Sequence, residues 1–275
     1  MTFGVRDLTV RFGDVLAVDD VTIDVAPGTV VAVVGGDGAG KTTLLRALVR
    51  EVRPDAGDVS APAKADIGYL AATSGSWAAL SVAQNIDFAG GVFGLSGEAL
   101  TQRREQLLAR ADLTKAADRL ASRLSGGMRR KLGFCMAIVH QPALLVLDEP
   151  STGVDPVSRV DLWRLVSEAA AGGTAVIMST TYLDEAERAA HLVVLDAGRA
   201  LVQGSYDAVR TSFTGTVTQV DEPVRPEWSW RRGRNRREYW PDGDHPAHLS
   251  VVDPDLEDIV IAMSLARRAE VGAAP

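Results

Sequence analysis

Disulfides are excluded at the outset, because Cys135 is the only cysteine among 275 residues, and a reducing compartment is expected. Its apolar, helix-like surroundings read as those of a small buried hydrophobe rather than a reactive thiol. No run approaches the roughly 18 apolar residues that a membrane-spanning helix needs. The N-terminus lacks a long apolar stretch and carries Asp7 early, so no signal peptide is expected. Positive charge is in deficit too. The net charge of −7 argues against a general nucleic-acid binder. Internal repeats and a low-complexity tail are also missing. What is present is 46% apolar and 24% charged residues, the balance of a globular chain with one good core and a smaller unit.

The chain is organised around residues 30–46, VVAVVGGDGAGKTTLLR. Val30, Val31, Ala32, Val33 and Val34 predict a buried strand, too short for a buried helix. Gly35, Gly36, Asp37, Gly38, Ala39 and Gly40 then turn the chain into a helix that starts near Lys41 and continues through Thr42 and Thr43. This is a phosphate-binding loop in its strand–loop–helix setting. Glycines let backbone N–H groups curl around phosphate oxygens, and the helix start adds favourable partial charge. Lys41 is expected to reach the β- and γ-phosphates, and the Thr42 hydroxyl to bind Mg²⁺. ATP and Mg²⁺ are the ligands to expect.

Before the loop, Val5–Phe12 and Val21–Val25 read as strands around a turn at Gly13-Asp14. Phe12 ends the first of them. It is either a platform for stacking adenine or a core phenylalanine at a strand end. After the loop helix come a turn at Arg53–Gly57, a strand at Asp66–Leu70, and a small-residue segment with an exposed-looking Trp77. Helices are expected at Ser81–Phe93, Ser96–Ala111 and Thr114–Ala121, with Arg103, Arg104 and Arg110 on a solvated face. Next, Leu124-Ser125-Gly126-Gly127-Met128 opens a helix. Ser125 is a plausible N-cap there, and the glycines expose N–H groups suited to an anion. Ala143–Leu147 is another buried strand and ends in Asp148-Glu149-Pro150. Asp148 could hold Mg²⁺ through water, and Glu149 could orient or deprotonate an attacking water. Burying two such carboxylates without a use would be costly. A helix at Pro156–Ala170, a strand at Thr174–Met178, a short helix at Leu183–Ala190 and a hairpin around Asp196-Ala197-Gly198 complete a mostly parallel sheet covered on both sides.

Composition shifts near residue 211, which predicts one domain at 1–211, with a helical part at about 81–140, and a small accessory region at 212–275. Residues 231–237, RRGRNRR, lie between Trp228, Trp230, Tyr239 and Trp240. Such interleaving could serve nucleic acid or an anionic membrane face. No RNA-binding motif frames it, so the favoured reading is a strand-poor surface anchored by tryptophans. A strand at Ala247–Val252 and a helix at Pro254–Arg268 follow.

The phosphate loop, LSGGM, LLVLDEP and the sequence Ser151-Thr152-Gly153-Val154-Asp155 together resemble the ATP-binding subunits of ABC transporters. The likeness extends over residues 1 to about 210. VDPVSRVDLW and STTYLDEAE are most similar to the N-terminal ATPase half of tandem-domain drug exporters. The resemblance implies an α/β phosphate-loop NTPase fold with a parallel core sheet, an antiparallel β part, a helical part bearing LSGGM, and a small C-terminal α+β extension. It implies an ATPase that drives a membrane permease from the cytoplasmic face by closing and reopening a head-to-tail pair of such domains. The second domain would be a different chain with a consensus site or another copy of this one. Lys41, Thr42, Asp148 and Glu149 would then serve the chain's own ATP, and Leu124–Met128 the partner's. Asp155 would signal across the interface, and Trp77 would face the permease. The departures matter. Ala72 stands where the family has a glutamine, Thr181 where it has a histidine, Asp37 where it has asparagine, and Phe12 where it has tyrosine. Two missing γ-phosphate groups suggest a slow site of its own beside an intact signature. The rival expectations are a non-catalytic regulatory ATP-binding module, or a soluble ABC-fold protein that acts on ribosomes or DNA.

Overall fold

The computed structural model describes residues 2–73 and 75–272. The chain divides into two compact units, Met1–Arg199 and Ala200–Pro275.

In the first unit, β1 (Phe3–Phe12) and β2 (Val15–Val25) form an antiparallel pair around Gly13. β2 begins six residues earlier than the apolar pattern suggests, because Val15 and Leu16 pair with Phe12 and Arg11. β3 (Val30–Val34) is buried throughout and leads through the glycine loop into α1 (Lys41–Leu48). β4 (Ala56–Ser60) then joins the free edge of β1, where sequence reading saw only a turn. Most of its residues are exposed, so no apolar alternation announces it. With β5 (Ile67–Leu70) the chain enters the parallel sheet.

Three helices follow: α2 (Val82–Val92), α3 (Gly97–Arg110) and α4 (Gly126–Ile138). The helix expected at Thr114–Ala121 does not form, and only single turns occur at Thr114–Ala116 and Ala121–Arg123. The backbone there pairs outward. Arg119 and Ala117 carbonyls accept from Val82 and Ala83, and the Ala121 N–H donates to Leu80. Of the arginines of α3, Arg110 is exposed as expected, whereas Arg103 and Arg104 are partly buried. Arg103 donates to the Ile138 and Val139 carbonyls at the end of α4, at 2.8 and 3.0 Å, satisfying groups a helix terminus leaves open. Arg104 pairs with Asp87 at 2.6 Å, and Arg110 with Glu168 at 2.8 Å.

β6 (Leu144–Leu147), α5 (Pro156–Ala171), β7 (Ala175–Thr180), α6 (Leu183–Ala186) and β8 (His191–Asp196) complete the unit. The parallel sheet runs β5-β6-β7-β3-β8. Its strands are nearly continuous apolar runs because both faces are covered. Cys135 is fully buried, and burial pushes its thiol up to about 12, which leaves it inert.

β9 (Arg199–Gly204) carries the chain into the second unit. There α7 (Tyr206–Ser212) precedes β10 (Thr216–Val220), β11 (Ser229–Arg232), β12 (Asn235–Trp240) and β13 (Ser250–Val252), and α8 (Leu256–Gly272) ends the unit. These strands form an antiparallel sheet in the order β11-β12-β10-β13. The segment expected to be strand-poor is therefore mostly sheet, and Trp228 and Trp230 pack on the core of Val217, Tyr239 and Ala262. Of the basic run, Arg231, Arg234 and Arg236 stay exposed, as a surface would have them. Arg232 pairs with Asp255 and Glu257, and Arg237 donates to Gln219 at 2.9 Å, while upstream of the run Arg225 lies over the Trp240 ring at 3.8 Å.

Candidate functional site

Strand register gathers the site. Val34 pairs with Thr180, Leu147 with Met178, and Leu70 with Leu147. The segments that follow these strands therefore leave the sheet side by side at its carboxyl edge, where open parallel sheets bind ligands. They are the glycine loop, Thr181, Asp148-Glu149 and Ala71-Ala72.

Glycine is obligatory at two points of the loop. A Cβ on Gly35 would lie 2.4 Å from the Leu195 carbonyl oxygen, and one on Gly40 would lie 2.4 Å from that of Ala17. Gly40 also has a φ of 102°, which side chains avoid. Beyond it, Lys41 is buried. Its Nζ donates to the Gly35 and Gly36 carbonyls at 2.8 and 3.1 Å and meets Glu149 Oε1 at 3.3 Å. Thr42 Oγ1 donates to Asp148 Oδ1 at 3.2 Å. Asp148 is only 1% exposed and also accepts from Ser179 Oγ at 2.7 Å. That hydroxyl in turn accepts from the Glu149 N–H at 2.9 Å, so Ser179 holds both acidic residues in place. Sequence reading missed Ser179, although a serine in the apolar run AVIMST was a signal.

Glu149 has a φ of 46°, a conformation that costs a non-glycine residue on the order of 1–3 kcal/mol and tends to occur at functional sites. Its carboxylate accepts from the Thr152 hydroxyl at 3.0 Å. Glu149, the stretch from Asp37 to Thr43, and Val15, Leu16 and Ala17 of β2 line a cleft of about 320 Å³. Phe12 is not part of that lining. It is 53% exposed at the end of β1 and packs as no core residue would. Among the described residues no group of three or more His, Cys, Asp or Glu could hold a metal alone. The Thr42 hydroxyl and Asp148 carboxylate are nonetheless hard oxygens suited to Mg²⁺, which takes one or two protein oxygens and completes its shell with phosphate and water.

Behind the cleft, buried Glu185 accepts from Ser151 Oγ and Thr180 Oγ1, each at 2.8 Å, and from Arg159 Nε at 3.1 Å. Arg159 also pairs with Asp184 at 2.9 Å and covers the Tyr182 ring at 3.7 Å. This network, unseen from sequence, ties the segment after Glu149 to α5 and to the end of β7, and Thr181 itself stays exposed. Beyond the end of β5, Ala72 is exposed, and its carbonyl accepts from Arg130 of α4.

The LSGGM stretch lies elsewhere and does not line the Lys41 cleft. Ser125 caps α4 by accepting from the Met128 N–H at 3.2 Å. Leu124 is buried, and Gly126 is exposed. A Cβ on Gly127 would come within 2.5 Å of Ser158 Oγ. Asp155 caps α5 through the Ser158 N–H at 3.0 Å, and bonds from the Ser158 backbone and hydroxyl hold its carboxyl below the usual range. Signature and Asp155 thus form one surface. Trp77 is 45% exposed, edge-on to the similarly exposed Phe88 at 4.4 Å, and is fixed by Asn85, whose Oδ1 accepts from its N–H at 2.7 Å.

Residues 18–152 match the family model described as ABC transporter. The chain is 38% identical over 206 residues to the probable multidrug ABC transporter ATP-binding protein YbhF of Escherichia coli (strain K12), covering 71% of this chain and 36% of that protein. It therefore spans little more than a third of that relative's length. It is also 38% identical over 221 residues to the daunorubicin resistance ATP-binding protein DrrA3 of Streptomyces coeruleorubidus, covering 76% of this chain and 70% of the other. A solved structure of the ATP-binding subunit of an ABC transporter superposes with a TM-score of 0.71 at 27% identity, over 78% of this chain and 93% of its own.

Proposed function

Because this chain belongs to the ABC transporter ATP-binding family, we propose that it binds Mg-ATP in the Lys41 cleft and powers a membrane exporter from the cytoplasmic face. The observation that supports this most is the junction of Lys41, Thr42, Asp148 and Glu149 at the end of one sheet. Thr42 and Asp148 would hold Mg²⁺, which supplies charge neutralisation on the phosphates. Lys41 sits on Gly35, Gly36 and Glu149, and nucleotide would exchange those partners for phosphate oxygens. Glu149, freed of Lys41, would orient water. Phe12 would offer its exposed face to adenine.

The site's own turnover is proposed to be slow. Ala72 offers no side-chain donor, and Thr181 offers one neutral hydroxyl and no positive charge. Losing one positioned group typically costs about 10²–10⁴ in rate. Ser125, Gly126 and Gly127 keep their donors, so the reading places most hydrolysis at a partner domain's phosphate loop, across this signature, with Asp155 beside it. Trp77 would meet the permease.

Two variants in the assembled complex test this. Glu149→Gln is expected to change turnover by less than about threefold, whereas Gly126→Asp should nearly abolish it by setting negative charge against the partner's γ-phosphate. Melting curves should accompany the second variant, since a Cβ at Gly126 meets the Gly153 carbonyl at 3.2 Å. The reverse ranking would make this site an active one. Slow turnover in every version would indicate a homodimer of weak sites.

A further inference from the structure

Arg130 lies on α4, five residues beyond the Ser125 cap, and its side chain reaches the segment that follows β5. Its guanidinium donates to the carbonyl of Ala71 at 3.3 Å and to that of Ala72. These two residues extend β5, just as Asp148 and Glu149 extend β6, and the two strands are in register at Leu70 and Leu147. The Asp148 N–H even donates to the Leu70 carbonyl at 2.7 Å, locking the two exits together. Arg130 is thereby held at the carboxyl edge of the sheet, beside the acidic pair. It is half-buried, and no carboxylate among the described residues lies within ion-pair distance of it. Its neighbour Lys131, by contrast, pairs with Asp161 at 3.1 Å.

We propose that Arg130 reads the γ-phosphate in this chain's own cleft, supplying the fixed cation that Ala72 and Thr181 cannot. The assignment rests on the Mg-ATP reading of the Lys41 cleft. A guanidinium has five N–H donors, and two carbonyls leave donors over for an anion. The carbonyls also restrain the long side chain, so little further rotamer freedom is lost when phosphate arrives. Burial lowers the affinity of Arg130 for its proton, and the charges of Glu149 and Asp148 oppose that loss. It therefore stays cationic in an acidic setting that a γ-phosphate would join. The role is specific to the third phosphate, because the glycine loop cradles the α- and β-phosphates and Lys41 spans β and γ, so that only γ is left for a second cation to share.

The test is equilibrium binding of Mg-ATP and Mg-ADP to the full chain, for wild type, Arg130→Ala, Arg130→Gln, Arg130→Lys and Lys41→Ala. Charge-assisted hydrogen bonds of this kind predict that Arg130→Ala and Arg130→Gln lose about tenfold or more in Mg-ATP affinity. Mg-ADP affinity should stay within about twofold, since the lost bonds reach only the γ-phosphate. Arg130→Lys should lie in between, retaining charge without the fork. Lys41→Ala should lose both nucleotides. If the Arg130 variants bind both nucleotides like wild type, or lose both in equal measure, Arg130 only ties α4 to the end of β5 and the proposal is overturned. Arg130→Gln keeps a donor for the carbonyls, so a loss confined to Arg130→Ala would likewise assign it a structural role. A wild-type chain that retains neither nucleotide would overturn the reading of the cleft, and this proposal with it.

Discussion

Single side chains set the chemistry and also carry a pH signal. His140 stacks on Phe93 with ring centroids 3.5 Å apart, and its Nε2 lies 3.2 Å from the Ile67 carbonyl oxygen. Burial depresses its pKa below the ordinary 6.5, with Arg103 acting in the same direction and the Ile67 carbonyl and Asp66 opposing. Below 6.5 the unfolded chain takes up a proton that the folded one refuses, so the unfolded state binds more protons. The stability His140 contributes is thus present above pH 6.5 and lost as pH falls through the depressed folded value. Melting curves taken across roughly pH 5 to 8 should show this decline, and His140→Phe, which keeps the stack without the proton, should flatten it. An unchanged slope in the variant would assign the acid sensitivity to other groups.

At the level of elements, helix ends do much of the positioning. Ser81 and Gln84 form a reciprocal cap at the start of α2, with bonds of 3.2 Å from the Gln84 N–H and 2.9 Å to the Gln84 side chain. That cap fixes the entry to the helix that carries Asn85 and Phe88, and so the setting of Trp77. Ser81→Ala should cost about 1 kcal/mol, or about 2–4 °C in melting temperature for a unit of this size. The Ser125 cap was legible because a serine just before a helical pattern announces itself in sequence, whereas the Asp155 cap on α5 emerged only with the structure. The role of Arg103 in α3 was not legible either, because its acceptors are the carbonyls that end α4, 35 and 36 residues away.

For the whole molecule, the proposed assembly predicts that Trp77 becomes buried when a permease docks. Interface aromatics commonly contribute about 2 kcal/mol or more on truncation. Trp77→Ala should therefore weaken co-purification with the permease while leaving Mg-ATP binding of the chain intact. Equal recovery of the complex would remove Trp77 from the interface.

Local signals carried much of the chain into view. Val30–Lys41 declared strand, loop and helix because each choice there is dictated by burial, turn sterics or the phosphate motif, all within a dozen residues. Asp148 and Glu149 were marked by their position at the end of an apolar strand. Other features depend on partners far away in sequence, and only the folded chain brought those partners together. β4 was hidden because its exposed residues have no apolar period and it forms only by pairing with β1. The expected helix at Thr114–Ala121 gave way because its backbone groups find better acceptors and donors around Leu80–Ala83. In the arginine and tryptophan run, the exposed Arg231, Arg234 and Arg236 and the anchoring of Trp228 and Trp230 follow the sequence, but the strands and the pairing of Arg232 with Asp255 and Glu257 needed partners from elsewhere in the second unit. Arg130, finally, is an ordinary helical arginine in sequence, and only the folded chain brings it to the carbonyls that follow β5.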